Sequence, residues 1–131
     1  MSADLLIDTH VALWFVRGEQ SALELLEDAL DDPSSTVTFS VVSLYEIAIK
    51  HSIRRLVERP EDVRRALVEG AGMLELGLSH NHASAYTDLP LRHKDPFDRM
   101  LLAQARAEEM TFVTADRHLA PYRDIVDLRG V

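Results

Sequence analysis

The chain has 131 residues and a mass of 14.8 kDa, with 14 Lys and Arg against 22 Asp and Glu, a formal charge of −8. That length fits one compact domain, residues 1–131, and 47% hydrophobic with 27% charged residues excludes a disordered tail or a fibrous repeat. The absence of cysteine excludes disulfide frameworks, thiolate zinc sites and cysteine nucleophiles, so any metal must be held by oxygen or imidazole.

Leu5 to Ile7 reads as a buried strand running through Asp8 into a short helix, His10 to Val16. Ser21, with Glu24 three residues on, is a capping box for a second helix that carries Leu23, Leu26 and Leu30 until Pro33. Thr36 to Phe39 is a β-branched and aromatic strand, and Ser43 with Glu46 is expected to open a long helix to about Leu56. Pro60 stands in the first turn of the next helix, which ends near Gly70 and Gly72. Met73 to Leu78 reads as a strand, His80 to Asp88 as a short helix and Leu89 to Lys94 as a loop. Asp95 and Pro96 form an N-cap and first-turn pair for a helix to about Glu109. Thr111 to Thr114 is a strand, Asp116 starts a short helical turn to Tyr122, and Ile125 to Leu128 is a small edge strand. Strands alternating with helices imply an α/β fold whose mainly parallel sheet is covered on both faces.

No apolar run reaches the roughly 20 residues of a membrane span. Asp4 and Asp8 stand where a signal peptide would carry Lys or Arg before an apolar stretch, so a cytoplasmic protein with no membrane partner is expected. No glycine-rich phosphate loop is present. The net charge argues against a polyanionic partner, but its distribution does not. Residues 1–40 hold eight acids and only Arg17, whereas residues 41–65 hold six bases, Lys50, Arg54, Arg55, Arg59, Arg64 and Arg65, against four acids.

In parallel sheets the functional crevice lies beyond the carboxyl ends of the strands. Asp8 follows the first strand and Asp116 the strand Thr111 to Thr114, so both face that edge; taken singly, each reads better as a helix cap or turn residue. Glu46 falls on the apolar stripe Val42, Glu46, Ile49 and Ile53, and Asp98 heads the stripe Asp98, Leu101, Leu102 and Ala105. Capping explains an acid in a first turn but not one on a core-facing stripe. No basic residue shares those stripes, so converging carboxylates would need a divalent cation. Hard oxygen ligands select Mg²⁺ or Mn²⁺ over zinc, and such ions bind phosphate oxygens. A bare acidic cluster of this kind suits phosphodiester hydrolysis by a metal-activated water.

Four segments in this order, LLIDTH at 5–10, SLYEIAIK at 43–50, HKDPFDRMLLAQA at 93–105 and TFVTAD at 111–116, resemble PIN-domain ribonucleases, and among them the VapC-type toxins of toxin–antitoxin pairs. The resemblance implies a three-layer α/β/α fold with a mainly parallel sheet of about five strands. It also implies an RNA-cleaving, Mg²⁺-dependent activity, with Asp8, Glu46, Asp98 and Asp116 catalytic and Asp8 and Asp98 the main metal ligands. Thr9 and Thr114 would line the pocket. Asp95 is assigned first to capping and second to the site. An antitoxin would lay an amphipathic helix near Trp14 and Phe15, and a homodimer is implied.

Lys50, Arg54, Arg55 and Arg99 are candidate RNA contacts, or a solvated face. His80 and His82 read as polar residues at a helix start, and His10 as a surface or capping residue near the rim. Two other readings remain. A non-catalytic interaction module would use the same fold without chemistry. A receiver-type phosphoacceptor domain would need a late lysine, and none follows Lys94.

Overall fold

The computed structural model describes residues 2–131. Five parallel strands, β1 (Asp4–Ile7), β2 (Thr36–Ser40), β3 (Leu74–Leu76), β4 (Thr111–Val113) and β5 (Leu128–Arg129), form one sheet in the order β3-β2-β1-β4-β5. The helices are α1 (Thr9–Val16), α2 (Gln20–Asp31), α3 (Val41–Ser52), α4 (Pro60–Arg65), α5 (His80–Thr87) and α6 (Pro96–Ala107). A π-helical turn, Ala66–Gly70, extends α4, and a 3-10 turn spans Arg117–Tyr122. No helix of the described residues is long and apolar enough to cross a membrane.

Burial on both faces explains why β1 is an unbroken apolar run. Leu5 and Ile7 join a cluster with Val11, Leu26, Val63 and Leu67 from α1, α2, α4 and the π-helical turn. Leu6 points the other way, to Leu101 and Leu102 of α6 and to Leu119 and Tyr122 of the 3-10 turn. The chain builds outward from β1 through β2 to β3 and then returns to place β4 on the other side of β1. The order therefore reverses between β1 and β4, and the crevice of a parallel sheet opens at such a point.

The α/β class and the sheet covered on both faces follow the sequence, but several boundaries moved. Ser21 lies inside the first turn of α2, whose N-cap, Glu19, makes no side-chain capping bond. Ser40, not Ser43, caps α3: its hydroxyl accepts from the Val42 amide, while Ser43 is buried in the first turn and takes a hydrogen bond from the Thr9 hydroxyl at 2.9 Å. The helix starts three residues earlier than Ser43 suggests, because Ser40 at the strand end supplies the cap.

The helix α3 ends at Ser52 rather than Leu56, because Arg54 takes φ +62° and the Arg55 amide bonds back to the Lys50 carbonyl at 2.8 Å. This is the left-handed stop that glycine usually provides. The outer strands are shorter than their apolar runs: β3 keeps only Leu74–Leu76, and β5 is Leu128–Arg129, with Val126 buried in the preceding turn. At the end of β5, Gly130 has φ +99° and lies so close to the Thr114 carbonyl that a Cβ would collide with it. Only glycine allows that approach, which packs the end of the edge strand against the segment leaving β4.

Candidate metal centre

Asp8 is the first residue beyond β1 and the N-cap of α1. It is 2% exposed; its Oδ1 accepts from the Val11 amide at 2.8 Å and its Oδ2 from the Thr114 hydroxyl. Burial pushes its carboxyl up from 3.8 to about 6, against the pull of those two hydrogen bonds and of His10, and the negative charge of Asp98 raises it further. Thr114, just past β4, is itself fully buried and also accepts from the Asp116 amide at 3.1 Å. One hydroxyl thus joins the ends of β1 and β4 across the reversal point.

Asp98 sits in the first turn of α6, which Asp95 caps by accepting from the Phe97 and Asp98 amides at 2.9 and 3.2 Å. Asp95 itself is exposed. The Asp98 carboxyl is raised chiefly by burial and also by the charges of Asp95 and Glu46, while a hydrogen bond from His93 opposes the shift. Its Oδ2 stands 2.8 Å from His93 Nε2. Asp116 caps the 3-10 turn, and its Oδ1 accepts from the His118 amide and meets His118 Nδ1, both at 3.0 Å.

Ligand atoms of His93, Asp98 and Asp116 all lie within 4.8 Å of one another, the one such group of three among the described residues. Asp8 borders it: a recess of about 190 Å³ is lined by Asp8, His10, Trp14, Ala115 and Asp116.

Glu46, 4% exposed, approaches the same crevice from α3. Its Oε2 accepts from Lys50 Nζ at 2.8 Å, but Oε1 is buried and finds no hydrogen-bond donor among the described residues. A buried carboxylate oxygen without a partner costs several kcal/mol, on the order of the loss of a charged hydrogen bond, unless something positive reaches it. A divalent cation fits this donor set: hard carboxylate oxygens, raised carboxyls at Asp8 and Asp98, and one orphaned oxygen at Glu46.

Three expectations need correction. The stripe through Glu46 is not core along its length: Val42 is buried, but Ile49 and Ile53 are 47% and 58% exposed, and with Tyr45 they form an outward apolar row. Glu46 lies at the edge where that helix leaves the core. A basic residue does reach the cluster, since Lys50 one turn on partners Glu46.

Arg99 faces inward, away from any RNA. It is 6% exposed, donates to the Pro90 carbonyl and the Tyr122 hydroxyl at 3.0 Å and to the Leu89 carbonyl at 3.4 Å, and lies over the Tyr86 ring. It is the strut that holds the loop before α6. Arg99→Ala, which removes the donor to the Leu89 carbonyl and the cation over Tyr86, is expected to lower stability by about 2 kcal/mol in urea denaturation, a loss a surface arginine would not show.

Of the other candidates, Thr9 is buried and spends its hydroxyl on Ser43, tying α1 to α3 rather than facing the acids. Arg54 and Arg55 lie past the end of α3, exposed, around a shallow recess with His51 and Val57. His82 is a buried helix-start residue, with Nδ1 accepting from the Ser79 amide and Nε2 against Glu108 at 2.9 Å. Sequence reasoning missed His93. The signal available was a histidine five residues before Asp98, inside the same segment.

The sequence model of the PIN domain matches residues 5–124. No curated protein matches the chain. Among solved structures, a chain in the crystal structure of VapBC2 from Rickettsia felis bound to a DNA fragment from their promoter is similar at 16% identity. It has a TM-score of 0.74, with 96% of this chain and 97% of that chain covered. FitAcB from Neisseria gonorrhoeae is similar at 17% identity and TM-score 0.66, covering 96% and 97%. DNA-bound VapBC from Salmonella typhimurium gives 14% identity and TM-score 0.63, covering 97% of both chains. These likenesses extend over the whole sheet and its helices.

Proposed function

The chain belongs to the PIN-domain family, and on that premise we propose that it is a VapC-type toxin: a Mg²⁺-dependent endoribonuclease, formed by residues 1–131 as one PIN domain and restrained by an antitoxin. The observation that carries the reading is the crevice between β1 and β4, where Asp8, Asp98 and Asp116 meet beside a buried Glu46 with an unpartnered oxygen. A divalent ion held there, Mg²⁺ or Mn²⁺ in its place, would supply a more acidic water and neutralise charge growing on a phosphate.

The chain's own residues prepare that chemistry. Asp8 and Asp98 offer carboxylates that burial has made costly to leave ionised, so an ion gains by meeting them. The Val11 amide and the Thr114 hydroxyl hold Asp8 in one rotamer, and His118 steadies Asp116. Lys50 fixes one oxygen of Glu46, and the other stays buried without a donor among the described residues. Beyond the crevice, the exposed Arg54 and Arg55 are placed to attract RNA phosphates, since cations on a net acidic chain matter where they cluster.

An antitoxin partner is favoured by two features. The recess beside Asp8 has Trp14 as an apolar wall, and the row Tyr45, Ile49 and Ile53 is an apolar helix face that a protein would cover. A toxin–antitoxin complex from Klebsiella pneumoniae is among the structural relatives, which agrees with such pairing, and a homodimer would use the same kind of surface. The cytoplasm, where RNA is made, is the expected place of action.

The test is cleavage of RNA by the purified chain. Cleavage is expected with Mg²⁺ or Mn²⁺, is expected to stop in EDTA, and to leave 5′-phosphate and 3′-hydroxyl ends, the products of attack by water with the 3′-oxygen leaving. Cleavage that continues unchanged in EDTA would overturn the metal-dependent reading, and inertness towards RNA with fresh Mn²⁺ would favour an interaction module.

A further inference from the structure

The carboxylates account for a divalent ion, but they leave His93 without a role. It sits in the loop before α6, outside the helices and strands that carry the acids, yet its Nε2 is 2.8 Å from Asp98 Oδ2 and its side chain is only 20% exposed. Adjacent ligands on a small divalent ion bound at about 2.1 Å lie about 3 Å apart, so the His93 and Asp98 atoms already stand at the spacing of neighbouring ligands. Asp116 completes the group within 4.8 Å, and its Oδ1 is occupied by His118. The His118 ring lies nearly parallel to that of His93, at 17° with centroids 6.4 Å apart, and limits where the His93 ring can turn. A second, independent feature points to a ligand in this crevice: Glu46 Oε1, buried and without a donor, on a side chain whose charge acts on Asp98.

We propose that His93 is a nitrogen ligand of the divalent ion, together with Asp98 and Asp116, and that this imidazole makes the centre favour Mn²⁺ over Mg²⁺. The inference rests on the reading of the crevice as a metal site and adds to it the ligand type and the ion it selects. The reason lies in the ions. Mg²⁺ prefers oxygen and gives up its waters reluctantly, whereas Mn²⁺ accepts imidazole and stands among the divalent ions whose affinity for nitrogen-containing sites rises along the first transition row. An ion held between His93 Nε2 and Asp98 Oδ2 would take the place of the contact that now joins them, and neutral imidazole with its proton on Nδ1 would present the Nε2 lone pair to the metal.

The experiment uses the full chain and Mn²⁺ alone. Pulsed EPR of the Mn²⁺ complex is expected to show coupling to a ¹⁴N nucleus, and His93→Gln is expected to remove it. Mn²⁺ affinity, followed by the EPR signal of the free ion, is expected to fall by about tenfold or more in that variant, within the range for loss of a group that governs a metal site. Mg²⁺ affinity, measured by competition against Mn²⁺, is expected to change by less than about threefold, because Mg²⁺ relies on the oxygens. Circular dichroism verifies that the variant is folded, and the wild-type spectrum needs no variant at all.

A wild-type Mn²⁺ complex without nitrogen coupling overturns the proposal, and so does a coupling that survives in His93→Gln. RNA cleavage by the same preparation separates the two levels. If RNA is cut while nitrogen coupling is absent, His93 is not a ligand and the ribonuclease reading stands. If the coupling is present and no RNA is cut, the ligand stands and the ribonuclease reading falls.

Discussion

Asp98→Asn is expected to lower metal-dependent RNA cleavage by about a thousandfold or more, since a metal site that contributes several kcal/mol to the transition state loses most of it with a central ligand. Asn keeps the size and shape of the side chain and changes only its charge and one acceptor. It occupies the first turn of α6, where Asp95, not Asp98, makes the capping bonds, so the helix start is unaffected. The measurement is initial-rate cleavage of a labelled RNA in saturating Mg²⁺, with a thermal melt to show that the variant is folded. Near wild-type cleavage by a folded Asp98→Asn would remove this residue from the chemistry.

The second large effect concerns stability without metal. The Asp8 carboxyl is raised from 3.8 to about 6 because folding takes it out of water, so the folded chain holds its proton more tightly than the unfolded chain does. The sign follows from that. The contribution of Asp8 to the stability of the metal-free protein is full below about pH 4, where the carboxyl is protonated in both states. That contribution falls by about 3 kcal/mol as the pH rises through about 6, where the folded state must also give up the proton.

Asp8→Asn escapes this cost while keeping an oxygen to accept from the Val11 amide. In EDTA near pH 7 the variant is expected to be more stable by about 3 kcal/mol, a rise in Tm of about 10 °C, and to show no advantage below about pH 4. Added Mg²⁺ should raise the Tm of the wild type and leave that of the variant almost unchanged. A variant less stable than wild type in EDTA at neutral pH would show that Asp8 is not held as a strained, buried charge.

What could be read from the sequence follows the reach of each interaction. The strands β1, β2 and β4 and the helix α6 were legible because their burial is written in apolar runs and periodicity, and because Asp95–Pro96 is an unambiguous helix start. The position of Asp8 and Asp116 beyond parallel strands followed from the same pattern. The errors arose where a local pattern competed with a distant partner. Ser43 resembled a cap but is claimed by Thr9, 34 residues away.

Arg99 resembled a surface cation beside Asp98, but its fate is decided by carbonyls at 89 and 90 and a hydroxyl at 122. Ile49 and Ile53 continue the hydrophobic period of α3 beyond the point where the helix has core to cover, and periodicity does not report where a core ends. His93 belongs to the same class: its neighbours in space are Asp98, Asp116 and His118, and only the fold gathers them.

The strand order has a consequence in time. The hydroxyl that holds Asp8 comes from Thr114, 106 residues further along the chain, and β4 must slide in beside β1 before the two can meet. A chain emerging from the ribosome can complete β1, α1 and their neighbours early, but the crevice has no second wall until residues 111–116 are free to dock. Pairing at such separation is the slow part of folding, because the loop between the partners must close first. A growing chain of this topology therefore holds no complete crevice until residues 111–116 have docked beside β1, so the proposed cleavage of RNA waits on that step.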